Sequence, residues 1–511
     1  MINVDNNRQI KIGVLLSYFL IILNTLYGLF LTPYMIGQLG TSEYGVYKTI
    51  SSFSSSLMVL DLGIGSTVMR FVAKYRATRD EKSIPNFVAM SLIQAAALSG
   101  VILAIGAVVF FSIKPVYSTT FSSVELQKAQ ILFCILLLNM VLHVFENVIN
   151  GVITGSNKFQ FGNGIKVIRL LMRVFLIVSL LAVCSSSIVL VLIDLMMTMV
   201  SIIVEMVYIA RKLHIKPKYS HWDRALFFES GKYTILMFLT SIAAQVNNNL
   251  DNVIIGAITG PALVTVYSMG LLIFGMYENL STSVSGVMLP TVTNLLEEDD
   301  SDVKIQRLIV KVGRIQFLLL GAAVVGFACV GKDFINAWLG AGYEDVYAIT
   351  LILMVPSLFE LCVNVCLSIL RARNKLVFRT CILFASTILN AIVTVLAVKF
   401  WSYIGAAFGT AASFIIGSLI VMNIYYYKEL HLPMLKIYRG ITKGIWLCLA
   451  IAGVALFLVS RRISGGWGEL IVNIIIFCII YGAMLIAFGL STEEINSIPF
   501  IKKTKRVEKE K

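Results

Sequence analysis

Apolar runs of twenty or more residues recur along this 511-residue chain, separated by short polar breaks. A run of that length crosses a bilayer as a helix, because ~20 residues at ~1.5 Å each span about 30 Å. The pattern predicts fourteen transmembrane helices, at roughly 13–36, 45–69, 86–112, 127–152, 163–184, 187–210, 231–257, 262–290, 308–331, 346–370, 377–398, 402–427, 438–460 and 469–490. The segment "VLLSYFLIILNTLYGLFL" is long enough to stay as the first span rather than act as a cleaved leader. The expected fold class is all-α integral membrane.

The polar positions then set the orientation. Of the 42 Lys and Arg residues, 34 fall in alternate loops and the two tails, and 6 in the opposite loops. The last two, Lys48 and Arg173, lie inside spans. Basic loops stay in the cytoplasm, so both termini are expected there, in the cell (inner or plasma) membrane.

Composition narrows the classes. At 58% hydrophobic and 14% charged, the chain cannot cover a soluble surface. The net charge of +14 serves topology. No basic stretch interleaves with aromatics on a polar fold, so no nucleic acid is expected as partner. The eight cysteines form no C-x-x-C pair, and no metal or cofactor is expected. No Walker A pattern is present, and His143, His214, His221 and His431 offer no outer catalytic cluster, so the chain is not expected to be an enzyme.

One phrase is written twice. "NVINGVITGSNKFQF" begins at Asn147, and "NVCLSILRARNKLVF" begins 217 residues later at Asn364. Asn157-Lys158 matches Asn374-Lys375, Phe161 matches Phe378, and upstream His143 matches Glu360. A second match pairs Ile36-Gly37 and Tyr47 with Ile255-Gly256 and Tyr267, at offsets of 219 and 220. Two matches with nearly one period predict two six-helix lobes in parallel pseudo-repeat, plus two appended helices. The expected divisions are an N-terminal lobe (1–212), a cytoplasmic linker (213–230), a C-terminal lobe (231–430), helices 13 and 14 (431–490) and a basic cytoplasmic tail (491–511).

This organisation resembles the polysaccharide transporter family, the Wzx-type flippases of the superfamily that includes MATE exporters and MurJ. The likeness covers essentially the whole chain. Its local carriers are "LTPYMIGQLGTSEYGVY" (31–47), "LDLGIGSTVMRFVAKY" (60–75) and "GVITGSNKFQF" (151–161). The resemblance implies movement of an oligosaccharide on a polyprenyl pyrophosphate from the cytoplasmic to the outer leaflet by alternating access. It also implies H+ or Na+ as a coupling ion, and a polysaccharide polymerase and glycosyltransferases as working partners beside the membrane lipids. A MATE-type cation-coupled small-molecule exporter and a membrane-bound polymerase or ligase are the alternatives. Short outer loops argue against the enzyme.

Charge inside a bilayer costs about 2.5–3.5 kcal/mol per residue on insertion scales, so embedded ions face a cavity or a partner. Lys166, Arg169 and Arg173 share one helix face at i, i+3, i+7. With Lys48 they are candidates for pyrophosphate binding, which a guanidinium performs bidentately. Lys166 and Arg169 could equally anchor the membrane interface, and Lys48 could snorkel to the headgroups. At the 217 offset Arg173 meets Asn390, so only the N-terminal half would be cationic there. Asn147, Glu146, His143, Asn248, Asn249, Asn252, Glu278, Glu360, Asn364 and Asn390 are candidates for sugar contact or cavity lining, or for interhelical hydrogen bonding. Asp61, Asp194, Glu205 and Asp251 are the candidates for ion coupling.

Overall fold

In hydrocarbon each backbone N–H and C=O must be satisfied within the protein, and a helix does this inside one segment. The computed structural model describes residues 16, 19–57, 63–80, 82–220, 224, 228, 249–285, 288–296, 298, 300–373, 375–460 and 466–490. Among them the chain is helical throughout and has no strand. The first half holds α1 (Phe19–Leu39), α2 (Thr41–Leu57), α3 (Ile64–Ala77), α4 (Ile84–Tyr117), α5 (Ser123–Gly155), α6 (Phe159–Leu181) and α7 (Ser187–Leu213). The second holds α8 (Pro261–Ser285), α9 (Leu289–Leu296), α10 (Ser301–Leu339), α11 (Asp345–Cys362), α12 (Val365–Ala372), α13 (Leu376–Trp401) and α14 (Ile404–Glu429). They are followed by α15 (Met434–Thr442), α16 (Ile445–Ser460) and α17 (Trp467–Gly489).

Among the described residues, ten helices are long and apolar enough to cross a membrane, and α15 with α16 make an eleventh as a broken span bent by 46°. The count of fourteen is therefore not met by length and apolarity alone, and each remaining expected span has its reason. The second is divided between α2 and α3. The fifth, α6, is 23 residues long but carries three cations. Most of the seventh, together with Asp61, Asn248 and the basic tail, lies outside the described residues. The tenth is also interrupted: α11 ends at Cys362, and α12 begins after Asn364, which stands at its N-cap position without a capping side-chain bond. Its repeat counterpart α5 runs unbroken through Asn147.

Contacts divide the chain into two compact units. The first is Met1–Ser268 with Val398–Tyr403, and the second is Met269–Ala397 with Ile404–Lys511. In the first unit Ile64, Val68, Phe71 and Val72 of α3 pack with Phe87 of α4 and Val148 and Val152 of α5. Residues 249–268 belong to this unit because they dock on its helices. Asn252 donates to Ser52 Oγ at 3.0 Å, Thr120 to Gly256 O at 3.0 Å and Thr265 to Thr41 O at 2.7 Å. Gly45 makes that approach feasible, since a Cβ there would overlap the carbonyl oxygen of Pro261. In the second unit Arg314 of α10 donates to Gly440 O (3.0 Å), Lys443 O (2.9 Å) and Gly489 O (2.9 Å). One guanidinium thus ties α15, the turn into α16 and the end of α17 to α10.

The repeat is visible inside each unit. Phe161 stacks on Tyr208 with centroids 3.5 Å apart at 12°, and Phe378 stacks on Tyr425 at 4.2 Å and 12°. Both members of the second stack lie 217 residues after those of the first. His214 and His431, also 217 apart, each end a helix in the left-handed region, at φ 54° and 52°.

Candidate functional site

The cationic row lies on α6, and α5 and α7 answer it with acceptors. Arg173 meets Asp194 of α7 at two points, Nη2 to Oδ2 at 2.9 Å and Nε to Oδ1 at 2.5 Å. Its guanidinium also lies over the Tyr27 ring, 5.0 Å from the centroid. Tyr27 opens a π-helical turn of α1, a widened geometry that re-aims side chains. One turn along α6, Arg169 donates to Glu146 Oε1 at 2.7 Å and to Thr198 Oγ1 at 2.6 Å. His143 Nδ1 lies 2.7 Å from the other Glu146 oxygen. Asn150 Nδ2 donates to Glu205 at 3.3 Å. Asp194, Thr198 and Glu205, at i, i+4 and i+11, form one acceptor face of α7.

Each arginine therefore has a carboxylate. Among the described residues Lys166 and Lys48 have none within ion-pair distance. Lys48 lies within electrostatic reach of Arg173. Lys166 lines a cavity of about 300 Å³ between α3, α5 and α6, with Ser66, Asn147, Asn150, Thr154 and Asn163. Gly162 supplies an open wall, whereas Gly65 and Gly151 let α3 and α5 approach, since a Cβ at Gly151 would come within 2.6 Å of Gly65 O.

In the second unit Glu360, Asn364 and Arg379 line a space of about 30 Å³, and Glu278 lies within electrostatic reach of Glu360. Asn364 donates to Ser285 Oγ at 3.2 Å. Other candidates sit in packed interiors. Asn390 is fully buried, and its Oδ1 accepts from Thr394 at 3.0 Å and Thr410 at 3.5 Å, joining α13 to α14. Asp251 accepts from Tyr267 at 2.5 Å, and Asn252 is taken by Ser52. Asn249 is half-buried.

Two residues escaped the sequence reading. Thr198 was legible only through its register with Asp194. Glu43, inside the quoted segment 31–47, draws Lys128 Nζ (2.6 Å) with the Ser187 N–H (2.7 Å) and hydroxyl (3.0 Å), tying α2, α5 and α7. Partial burial pushes its carboxyl up, but Lys128 and Ser187 outweigh this and hold it below the usual carboxylate range. Beside it, Ser122 and Glu125 form a capping box on α5, and Ser42 donates to Glu125.

A family of polysaccharide biosynthesis proteins matches residues 11–296, more than half of the chain. The chain belongs to that family. Over 179 residues it is 26% identical to the probable flippase AglR of Haloferax volcanii; the match covers 34% of this chain and 37% of that protein. Its fold is similar to the lipid II flippase MurJ in an inward closed conformation, with a TM-score of 0.72 at 16% identity, covering 92% of this chain and 97% of the other. It is also similar to an inward-facing multidrug resistance MATE transporter of the MOP superfamily, with a TM-score of 0.59 at 16% identity, covering 80% and 96%. The fold is thus like that of MurJ and the MATE transporters, and the row of cations lies within the first unit of this chain.

Proposed function

We propose that this chain is a flippase that carries a polyprenyl-pyrophosphate-linked oligosaccharide from the cytoplasmic to the outer leaflet by alternating access, for cell-surface polysaccharide. One observation carries the reading. In a fold of this family, the first unit contains two lysines, Lys48 and Lys166, that have no carboxylate within ion-pair distance among the described residues. Cations without a carboxylate partner on a cavity wall attract an anion and repel the small cations a MATE-type exporter would carry. Arg169 and Arg173 shape that interior while spending their forks on Glu146 and Asp194. Of the ion-coupling candidates, Asp194 and Asp251 are engaged by Arg173 and Tyr267. Glu205 is buried, and its Oε2 has no hydrogen-bond partner, so a proton or Na+ would complete it.

The test uses proteoliposomes holding the full chain and a fluorescent polyprenyl-pyrophosphate oligosaccharide, with leaflet position read by an impermeant quencher. The protein should equilibrate the lipid between leaflets faster than empty liposomes, and Lys48→Gln/Lys166→Gln should abolish the gain. Extrusion of a fluorescent organic cation without any lipid movement would overturn the proposal in favour of the exporter.

A further inference from the structure

The internal repeat supplies a comparison for the cavity at Lys166. Three of its lining residues, advanced by 217, line the space in the second unit: Asn147 becomes Asn364, Gly162 becomes Arg379 and Lys166 becomes Leu383. The two spaces share one pair of repeat-related segments, but the third wall is α3 in the first (Gly65, Ser66, Met69) and α14 in the second (Ser418, Met422, Tyr426). In the second unit an arginine stands where the first has glycine, and a leucine stands where the first has lysine. The volumes also differ, about 30 Å³ against about 300 Å³. The smaller holds about one water, whereas the larger reaches the range of small-ligand pockets, roughly 300–1,000 Å³.

The chemistry of the open groove is specific. It carries one ammonium and no carboxylate, surrounded by amides and hydroxyls. Asn150 is held in place, since its Nδ2 donates to Glu205 (3.3 Å) and its Oδ1 accepts from Thr154 (3.3 Å). Amides and hydroxyls offer both donors and acceptors, as sugar hydroxyls require, and a lysine offers three donors to one phosphate. Gly162 keeps the space without strain. A Cβ there would meet only Ile153 Cγ2 at 3.8 Å and Asn150 Nδ2 at 4.0 Å, so alanine fits and only a long side chain would fill the groove.

We propose that the cavity between α3, α5 and α6 is a binding site for the phosphorylated end of a sugar headgroup, kept open by Gly162, with Lys166 on the phosphate and Asn147 and Asn150 on the sugar. The identity of the ligand rests on the flippase reading; the existence of the site does not. The full chain in nanodiscs is titrated with radiolabelled glucose 1-phosphate, and with glycerol 3-phosphate as the stand-in for a phospholipid headgroup. Glucose 1-phosphate should bind saturably. Gly162→Arg, which copies the second unit, should weaken binding at least thirtyfold, Lys166→Gln at least tenfold, and Gly162→Ala less than twofold. In a second measurement Gly162→Cys is labelled with a maleimide, and glucose 1-phosphate should slow the labelling at least fivefold. Unchanged binding in Gly162→Arg, or labelling that the ligand does not slow, overturns the site. Equal affinity for glycerol 3-phosphate overturns its assignment to a saccharide. If glucose 1-phosphate binds and Gly162→Arg abolishes it while the proteoliposomes move no lipid, the site stands and the flippase reading falls.

Discussion

The ion pair between Arg173 and Asp194 separates a structural charge from one that a substrate reads. Removing one partner of a buried pair costs about 3–5 kcal/mol, because the other charge is left without compensation. Here the side chains are 24% and 20% exposed, so some water reaches them. A cost of about 2–4 kcal/mol follows, a thirtyfold to thousandfold shift in a two-state equilibrium. Arg173→Gln and Asp194→Asn should each lower the yield of monodisperse protein, measured by fluorescence-detected size-exclusion chromatography of a tagged full chain. Arg173→Lys should fall between, since ammonium keeps the charge but loses the two-point contact. The double variant Arg173→Gln/Asp194→Asn should recover most of the yield. What remains lost is about 0.5–1 kcal/mol for the contact with the Tyr27 ring. It should also retain export in a deletion strain, because the charge removed was already spent on Asp194. A double variant present at normal yield yet unable to export would refute this reasoning and return Arg173 to the substrate.

Three further outcomes follow from named contacts. Gly45→Ala should sharply reduce both yield and transport, since the new methyl needs the space of the Pro261 carbonyl; wild-type thermal stability in that variant would contradict the packing. Glu43 contributes stability that is present above pH 4.5 and lost as the pH falls through its lower folded value, so melting temperature should drop below pH 4.5. Glu43→Gln, at a cost of about 1–2 kcal/mol at neutral pH, should flatten that acid limb, as measured by pH-dependent melting curves. Single cysteines at Ser118 and Ala341 should react with an impermeant maleimide from outside intact cells, and those at Ser220 and Glu298 should not; outside labelling at Ser220 would break the fourteen-span topology.

The helices were legible because bilayer length is a property of one-dimensional pattern, and so is the 217-residue period that relates the two aromatic stacks. The first residue of the repeated phrase, Asn147 and its counterpart Asn364, lines a space in each unit. Less was legible where a residue's meaning depends on what stands across from it. Helical spacing put Arg173 on the same face as Lys166 without revealing that Asp194, on another helix, already holds it. Asn390 has the composition of a sugar contact, but its partners Thr394 and Thr410 make it a bond between α13 and α14. The break before Asn364 also left no periodic trace, since the apolar pattern of α11 continues into α12.

The repeat bears on why the first unit carries charge at all. Advanced by 217, Lys166, Arg169 and Arg173 become Leu383, Ser386 and Asn390. Glu146, Asp194 and Glu205 become Val363, Ala411 and Met422. The four charges of the two ion pairs, Arg169 with Glu146 and Arg173 with Asp194, are absent together from these positions of the second unit. Compensation explains the pattern: in a low-dielectric interior a cation is tolerable beside its carboxylate and costly without it, so both members must be present or both absent. The second unit makes its corresponding contacts with neutral groups, as Asn390 does with two threonines. Had the arginines been placed only for a substrate, their loss would not require the loss of carboxylates on two other helices. The paired charges are therefore what the architecture of the first unit calls for, and Lys166, with no carboxylate within ion-pair distance among the described residues, is the cation left for the proposed ligand.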